Sequence, residues 1–192
     1  MGLGRGVRIA ILAEDRLSER FARRVLMDLG YERHELRFIT DGRPDSGQGS
    51  AKQWVDLKYP AEVKTCRQKS HQKGIALLIG TDADEQTVDQ RSRALTTALQ
   101  KADLKPRGKD ERIVHWIPRW SIETWGLALT GRNADEETPF KNTAQAKGID
   151  WKAAASAFVE GYGMHVRGDP IDCLPSLLAA YHETERLELQ PG

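Results

Sequence analysis

Apolar residues come in short blocks along this chain, and the blocks alternate between two periodicities. Residues 7–13 (VRIAILA) and 75–80 (IALLIG) are unbroken apolar runs bounded by glycine and charge, the pattern of strands covered on both faces. Residues 36–40 and 113–117 (IVHWI) predict two further strands, the second stopped by Pro118. Leu17, Phe21, Val25 and Leu29 mark one face of a helix over 17–30, with Gly30 at its stop. Residues 52–73 predict a helix interrupted at Pro60, and 86–102 a polar helix with Val88, Leu95 and Leu99 inward. Further helices are predicted over 121–130, 150–161 and 174–187, while 40–51 and 131–148 read as loops. Strands alternating with helices predict an α/β domain with a mainly parallel sheet of about four strands, flanked by helices and followed by C-terminal helices. A length of 192 residues suits one domain over 1–192, with a core over about 7–130 and a helical extension over about 150–188.

Composition narrows the function classes. Twenty-nine basic residues against 28 acidic ones leave a net charge of +1, which excludes a uniformly basic, histone-like binder but not a local basic patch. Cys66 and Cys173 match no metal-ligand spacing, so a reduced, cytosolic compartment is expected and a structural zinc site is not. Neither a signal-like apolar segment nor a membrane-length apolar run is present, so no membrane association is expected. Two glycine-rich segments fail as nucleotide sites. Gly2–Gly6 precedes a strand instead of following one, and after the P-loop-like spacing of Gly42 and Gly47, Gln48 stands where lysine is needed.

Carboxylates gather where the predicted strands end. Asp82 and Asp84 follow 75–80 one residue apart, at the edge where open α/β sheets bind ligands. Two anions held that close repel unless a proton or cation lies between them, which suits Mg²⁺ or Mn²⁺. The alternative is an ordinary loop in which Asp84 caps the next helix. Glu14 and Asp15 end the first strand at the same edge, and Glu19 lies one turn into the helix behind them. Glu123, after the fourth strand, is either a third contribution or a solvated helix residue. Trp116, Trp120 and Trp125 read as packing residues, and the five histidines show no His-x-x-x-His pair and are assigned no role.

Glu14 at the end of one strand and Asp82-Ala-Asp84 at the end of a later one resemble the signature of the TOPRIM (topoisomerase–primase) fold. The run Ile117-Pro118-Arg-Trp-Ser-Ile-Glu123-Thr-Trp and the tail from Leu174 to Leu187 resemble small standalone TOPRIM-like proteins and the OLD (overcoming lysogenization defect) nucleases of bacterial phage defence. The order of motifs covers nearly the whole chain. Three positions depart from the family: Asp15 replaces a glycine, Glu19 falls one residue late, and no acid follows Glu123 near Thr130.

The resemblance implies a metal-dependent nuclease that hydrolyses DNA or RNA. Asp82 with Glu14 or Asp15 would hold one Mg²⁺ or Mn²⁺, and Asp84 with Glu123 a second, with Glu14 as general acid or base. Lys52 is the preferred phosphate contact, within a wider basic stretch that includes Lys64, Arg67, Lys69 and Lys73, and Arg119 lies beside the acidic edge. Lacking a P-loop and a cysteine-rich zinc module, the chain is expected to act as a standalone unit, alone or as an oligomer, with an ATPase partner encoded elsewhere. The competing expectation is a non-catalytic adaptor or regulatory subunit of a defence complex.

Overall fold

The computed structural model describes residues 7–44, 51–69 and 74–188. Four strands, β1 (Arg8–Ala13), β2 (Leu36–Phe38), β3 (Ile75–Gly80) and β4 (Ile113–Trp116), form one sheet in the order β2-β1-β3-β4, parallel throughout. The chain moves outward from β1 to β2, then returns past it to β3 and β4. The order therefore reverses between β1 and β3, which makes their carboxyl ends the switch-point crevice of an open α/β sheet. The α/β architecture expected from the pattern holds.

Alternation along the strands builds two cores. Ile9, Ile11, Ala76, Leu78, Val114 and Trp116 face α1 (Arg16–Asp28), α4 (Ile122–Leu129), α6 (Trp151–Arg167) and α7 (Pro175–Thr184). Ala10, Leu12, Leu77, Ile79 and Ile113 face α2 (Ala51–Lys69) and α3 (Val88–Lys101). Both faces are covered, which is why β1 and β3 read as continuous apolar runs.

Three details differ from the sequence expectation. First, α2 continues through Pro60. The proline removes one bond to the Asp56 carbonyl, but Trp54, Val55, Tyr59, Val63 and Cys66 are all buried against the sheet and carry the helix across it. Second, α6 does not stop at Gly161 but runs to Arg167, capped by Gly168 at φ +75°. A Cβ on Gly161 would fall 2.3 Å from the Tyr181 hydroxyl, so this glycine serves the close approach of α7. Third, the expected loop over 131–148 contains a single helical turn, α5 (Ala144–Lys147), capped by Thr143. Among the described residues no helix is long and apolar enough to cross a membrane.

Candidate functional site

The register of the central strands builds the site. Ala13 pairs with Gly80, and the Glu14 amide continues the ladder by donating to Gly80 O at 2.8 Å. The next residues of both chains therefore stand side by side. Beyond β3 the backbone goes on pairing with the end of β4 and the segment after it, through Thr81 N–Trp116 O at 3.1 Å and Ala83 N–Pro118 O at 3.0 Å. It ends in an isolated antiparallel bridge between Asp84 and Trp120. Both bridge residues have left-handed backbones, φ +52° and +65°. Such strain is tolerated where surrounding contacts fix the chain. Arg119 supplies one of them: its guanidinium donates to the Asp84 carbonyl and lies 4.3 Å over the Trp120 ring. The helix cap that Asp84 would have supplied belongs instead to Thr87, in a capping box with Gln90.

Asp82 is the centre of the site. It is 1% exposed, and its Oδ1 is buried with no hydrogen-bond partner among the described residues. Its Oδ2 meets the Lys141 ammonium at 3.4 Å. Burial, then the neighbouring Glu14, push its carboxyl well above the usual range; Lys141 opposes this, and Asp15 and Asp84 add to it. Glu14 Oε2 accepts from the Thr81 hydroxyl at 2.8 Å and the Asp82 amide at 3.1 Å. Its carboxyl is also raised, first by burial and further by Asp84, against the lowering effect of these two bonds and Lys52.

A buried arginine braces this pair. Arg91 donates to the Thr81 hydroxyl from Nε (3.1 Å) and Nη2 (2.9 Å), and to Asp56 Oδ1 at 2.7 Å. The Thr81 hydroxyl thus receives from Arg91 and donates to Glu14. Sequence reasoning passed over Arg91 as part of a polar helix. The signal available was its place on the Val88–Leu95–Leu99 stripe, where a cation must find partners.

Lys141 was also missed. It belongs to the segment between α4 and α5, which carries no periodicity to read. Burial pulls its ammonium down, but Asp82, Asp15, Glu14 and Glu123 outweigh that and raise it. All four carboxylates act on this one cation, and Asp82 is the one in contact with it. Lys52 holds the outer side, 2.5 Å from Asp84 Oδ2 and 3.4 Å from Ala83 O. Lys52, Asp84, Glu85, Gln86, Trp120, Pro139 and Lys141 line a cleft of about 470 Å³ beside the acidic edge. Trp120 is the one of the three tryptophans with a face on this cleft; Trp116 and Trp125 are buried packing residues.

Other expected residues lie elsewhere or have other work. Asp15 caps α1 through its Oδ1, which accepts from the Ser18 amide at 2.7 Å. Glu19 bonds Arg43 at 2.7 Å and Arg23 at 3.4 Å, so both oxygens are held by arginines and not by the carboxylate group. Glu123 stands in the first turn of α4, half-buried, on the Lys141 side. Lys64 is not at this edge: α2 runs back along the sheet from Lys52, which carries Lys64 about 18 Å away along the helix axis. It lines a groove between α2 and α3 instead. Arg67 clamps Glu111 and the Lys105 and Pro106 carbonyls. Lys73, like Gly47 and Gln48, lies outside the described residues.

The residues fit a hard divalent cation in charge and donor type. Five carboxylates face two ammonium groups, all donors are oxygen, and Asp82 offers an unsatisfied buried oxygen. They do not form a closed cage, since no three of these carboxylates have ligand atoms within 4.8 Å of one another. No family model, curated protein or solved structure matches this chain.

Proposed function

We propose that the protein is a Mg²⁺- or Mn²⁺-dependent nuclease of TOPRIM type, acting on DNA or RNA. The observation that carries this reading is Asp82: a fully buried carboxylate with one oxygen unpaired, at the switch-point crevice, beside a second carboxylate. A structural aspartate in that position would be hydrogen-bonded on both oxygens. Asp82, Glu14 and Asp84 would hold the ion, with Glu123 and the free oxygen of Asp15 within the same field. Bound there, the cation would neutralise phosphate charge and lower the pKa of a water.

The chain's own residues do the rest. Lys52 and Lys141 line the cleft and present positive charge to a phosphodiester. Trp120 offers its ring to a base or sugar on the same wall. Glu14, raised by burial, is suited to carry a proton to or from a reacting oxygen. Arg91 and Thr81 keep its carboxyl in place.

One observation favours a second reading, a non-catalytic adaptor or regulatory subunit. Lys141 already provides a cation to Asp82, so the fold has an internal counter-charge without a metal. Calorimetric titration with Mn²⁺ separates the two. The nuclease reading requires Mn²⁺ binding that Asp82→Asn abolishes and Lys141→Met strengthens, because the tethered ammonium competes with the ion. Equal heats from wild type and Asp82→Asn would count against it.

A further inference from the structure

The far end of α6 carries a second group of ligating side chains, remote in sequence from the acidic edge. His165 stands in the last turn of α6, His182 in the last turn of α7, and Glu185 opens the 3₁₀ turn Glu185–Glu188. His165 Nε2 lies 2.5 Å from Glu185 Oε1, and His182 Nδ1 lies 3.7 Å from the same oxygen. The three ligand atoms all fall within 4.8 Å of one another, and among the described residues this is the one such triad. The histidines are 17 residues apart, so no short-range motif announces the pairing.

We propose that His165, His182 and Glu185 bind a transition-metal ion of the Zn²⁺ class. Two imidazoles and one carboxylate form a mixed nitrogen–oxygen set, which selects Zn²⁺, Co²⁺ or Ni²⁺ over Mg²⁺. Tetrahedral Zn²⁺ with bonds of 2.0–2.2 Å holds its ligand atoms about 3.3–3.6 Å apart. The present spacings of 2.5 and 3.7 Å straddle that value, so side-chain shifts of about 1 Å suffice. His165 Nε2–H now donates to Glu185; on metal binding the ring takes the Nδ1–H tautomer and turns the Nε2 lone pair to the ion.

The frame beneath these ligands is fixed. Glu183 is held by Arg107 and accepts from the His115 amide, and Thr184 accepts from Trp116 Nε1 at 3.0 Å. Arg186 grips the carbonyls of Gly108, Lys109 and Glu111, and Leu187 is buried. Residues 183, 184, 186 and 187 thus anchor the turn, which leaves 182 and 185 facing outward. The His165 ring rests against Tyr162 and Tyr181, which set its plane. With His182 64% and Glu185 53% exposed on their side chains, the fourth position opens to solvent. An ion there would clip α6 to the C-terminal turn and stabilise both.

The test is titration of the full chain with Zn²⁺ by calorimetry and with Co²⁺ by visible absorption, for wild type, His182→Ala, Glu185→Gln and Asp82→Asn. His182 is exposed, so its truncation leaves the core intact; Glu185→Gln keeps shape and removes the charge. The expected result is one equivalent of Zn²⁺, tetrahedral Co²⁺ bands, and a loss of affinity of ~100-fold or more in either variant. Asp82→Asn retains the binding. Absence of a stoichiometric Zn²⁺ site in wild type, or Zn²⁺ affinity and Co²⁺ bands unchanged in His182→Ala, overturns the proposal.

Discussion

Replacing Asp82 by Asn isolates the cost of keeping a charge in the crevice. In the absence of divalent ions Asp82 has one orphaned oxygen and a single ammonium neighbour at 3.4 Å, whose side chain is 47% exposed. Leaving a buried acceptor unpaired costs about 1–3 kcal/mol. Breaking a fully buried ion pair would cost about 3–5 kcal/mol, but this pair is long and half in solvent, so about 1 kcal/mol is at stake. The amide keeps the size of the carboxylate and removes its repulsion with Glu14. Asp82→Asn should therefore stabilise the metal-free protein by about 1 kcal/mol, or roughly 2–4 °C in Tm for a chain of this size.

Urea and thermal unfolding in EDTA measure this. Adding Mn²⁺ at about a hundred times its Kd should then raise the wild type by about 2.7 kcal/mol and the variant far less, reversing their order. The pH dependence has a definite sign. The folded state holds the Asp82 and Glu14 protons more tightly than the unfolded chain does. The stability this contributes is full below the ordinary carboxylate range and is lost as pH rises through the elevated folded values. The advantage of Asp82→Asn should therefore shrink as pH falls from neutral toward 4. A variant that unfolds more easily than wild type in EDTA, by 1 kcal/mol or more, would show that the carboxylate holds the fold together and is not a cost to it.

His115 should make stability fall on mild acidification. Burial holds its imidazole well below the usual range, with Nε2 on the Tyr59 hydroxyl at 2.9 Å and Nδ1 unpaired. The unfolded chain takes up that proton below about 6.5, so native stability drops by up to about 1.4 kcal/mol per pH unit below that point. His115→Gln should flatten the slope in urea unfolding between pH 7.5 and 5.5, and an unchanged slope would contradict this. Asp84→Gly should be more stable than Asp84→Ala by about 1 kcal/mol, because φ +52° penalises a Cβ; equal chemical-denaturation midpoints would remove the strain argument. Pro60→Ala should restore the bond to the Asp56 carbonyl and raise stability by about 1–2 kcal/mol, after allowing for the freer unfolded chain. A lowered Tm would mean that the proline is accommodated without loss.

Much of the fold was written in periodicity. The apolar runs of β1 and β3 and the four-residue spacing on α1 specified covered strands and an amphipathic helix, because burial on both faces leaves no polar position to confuse the pattern. Breakers misled where tertiary packing outweighed them: Pro60 within a helix pinned by five buried side chains, and Gly161 in a helix that needed a gap for Tyr181. At the site, strand-end carboxylates are legible because chain position alone places them at one edge. Lys141 and Arg91 were not, since one lies in an aperiodic segment and the other looks like ordinary helix charge. The pairing of His165 with His182 depends on how α6 and α7 pack, which no local spacing encodes.

The decisive measurement is cleavage of plasmid and single-stranded nucleic acid by the purified chain with Mg²⁺ or Mn²⁺. Metal-dependent phosphodiester hydrolysis is expected, which Asp82→Asn and Glu14→Gln each reduce by at least ~100-fold although both variants remain folded, Asp82→Asn being at least as stable as wild type in EDTA. Cleavage that survives Asp82→Asn, or none by the wild type with either metal, would contradict it.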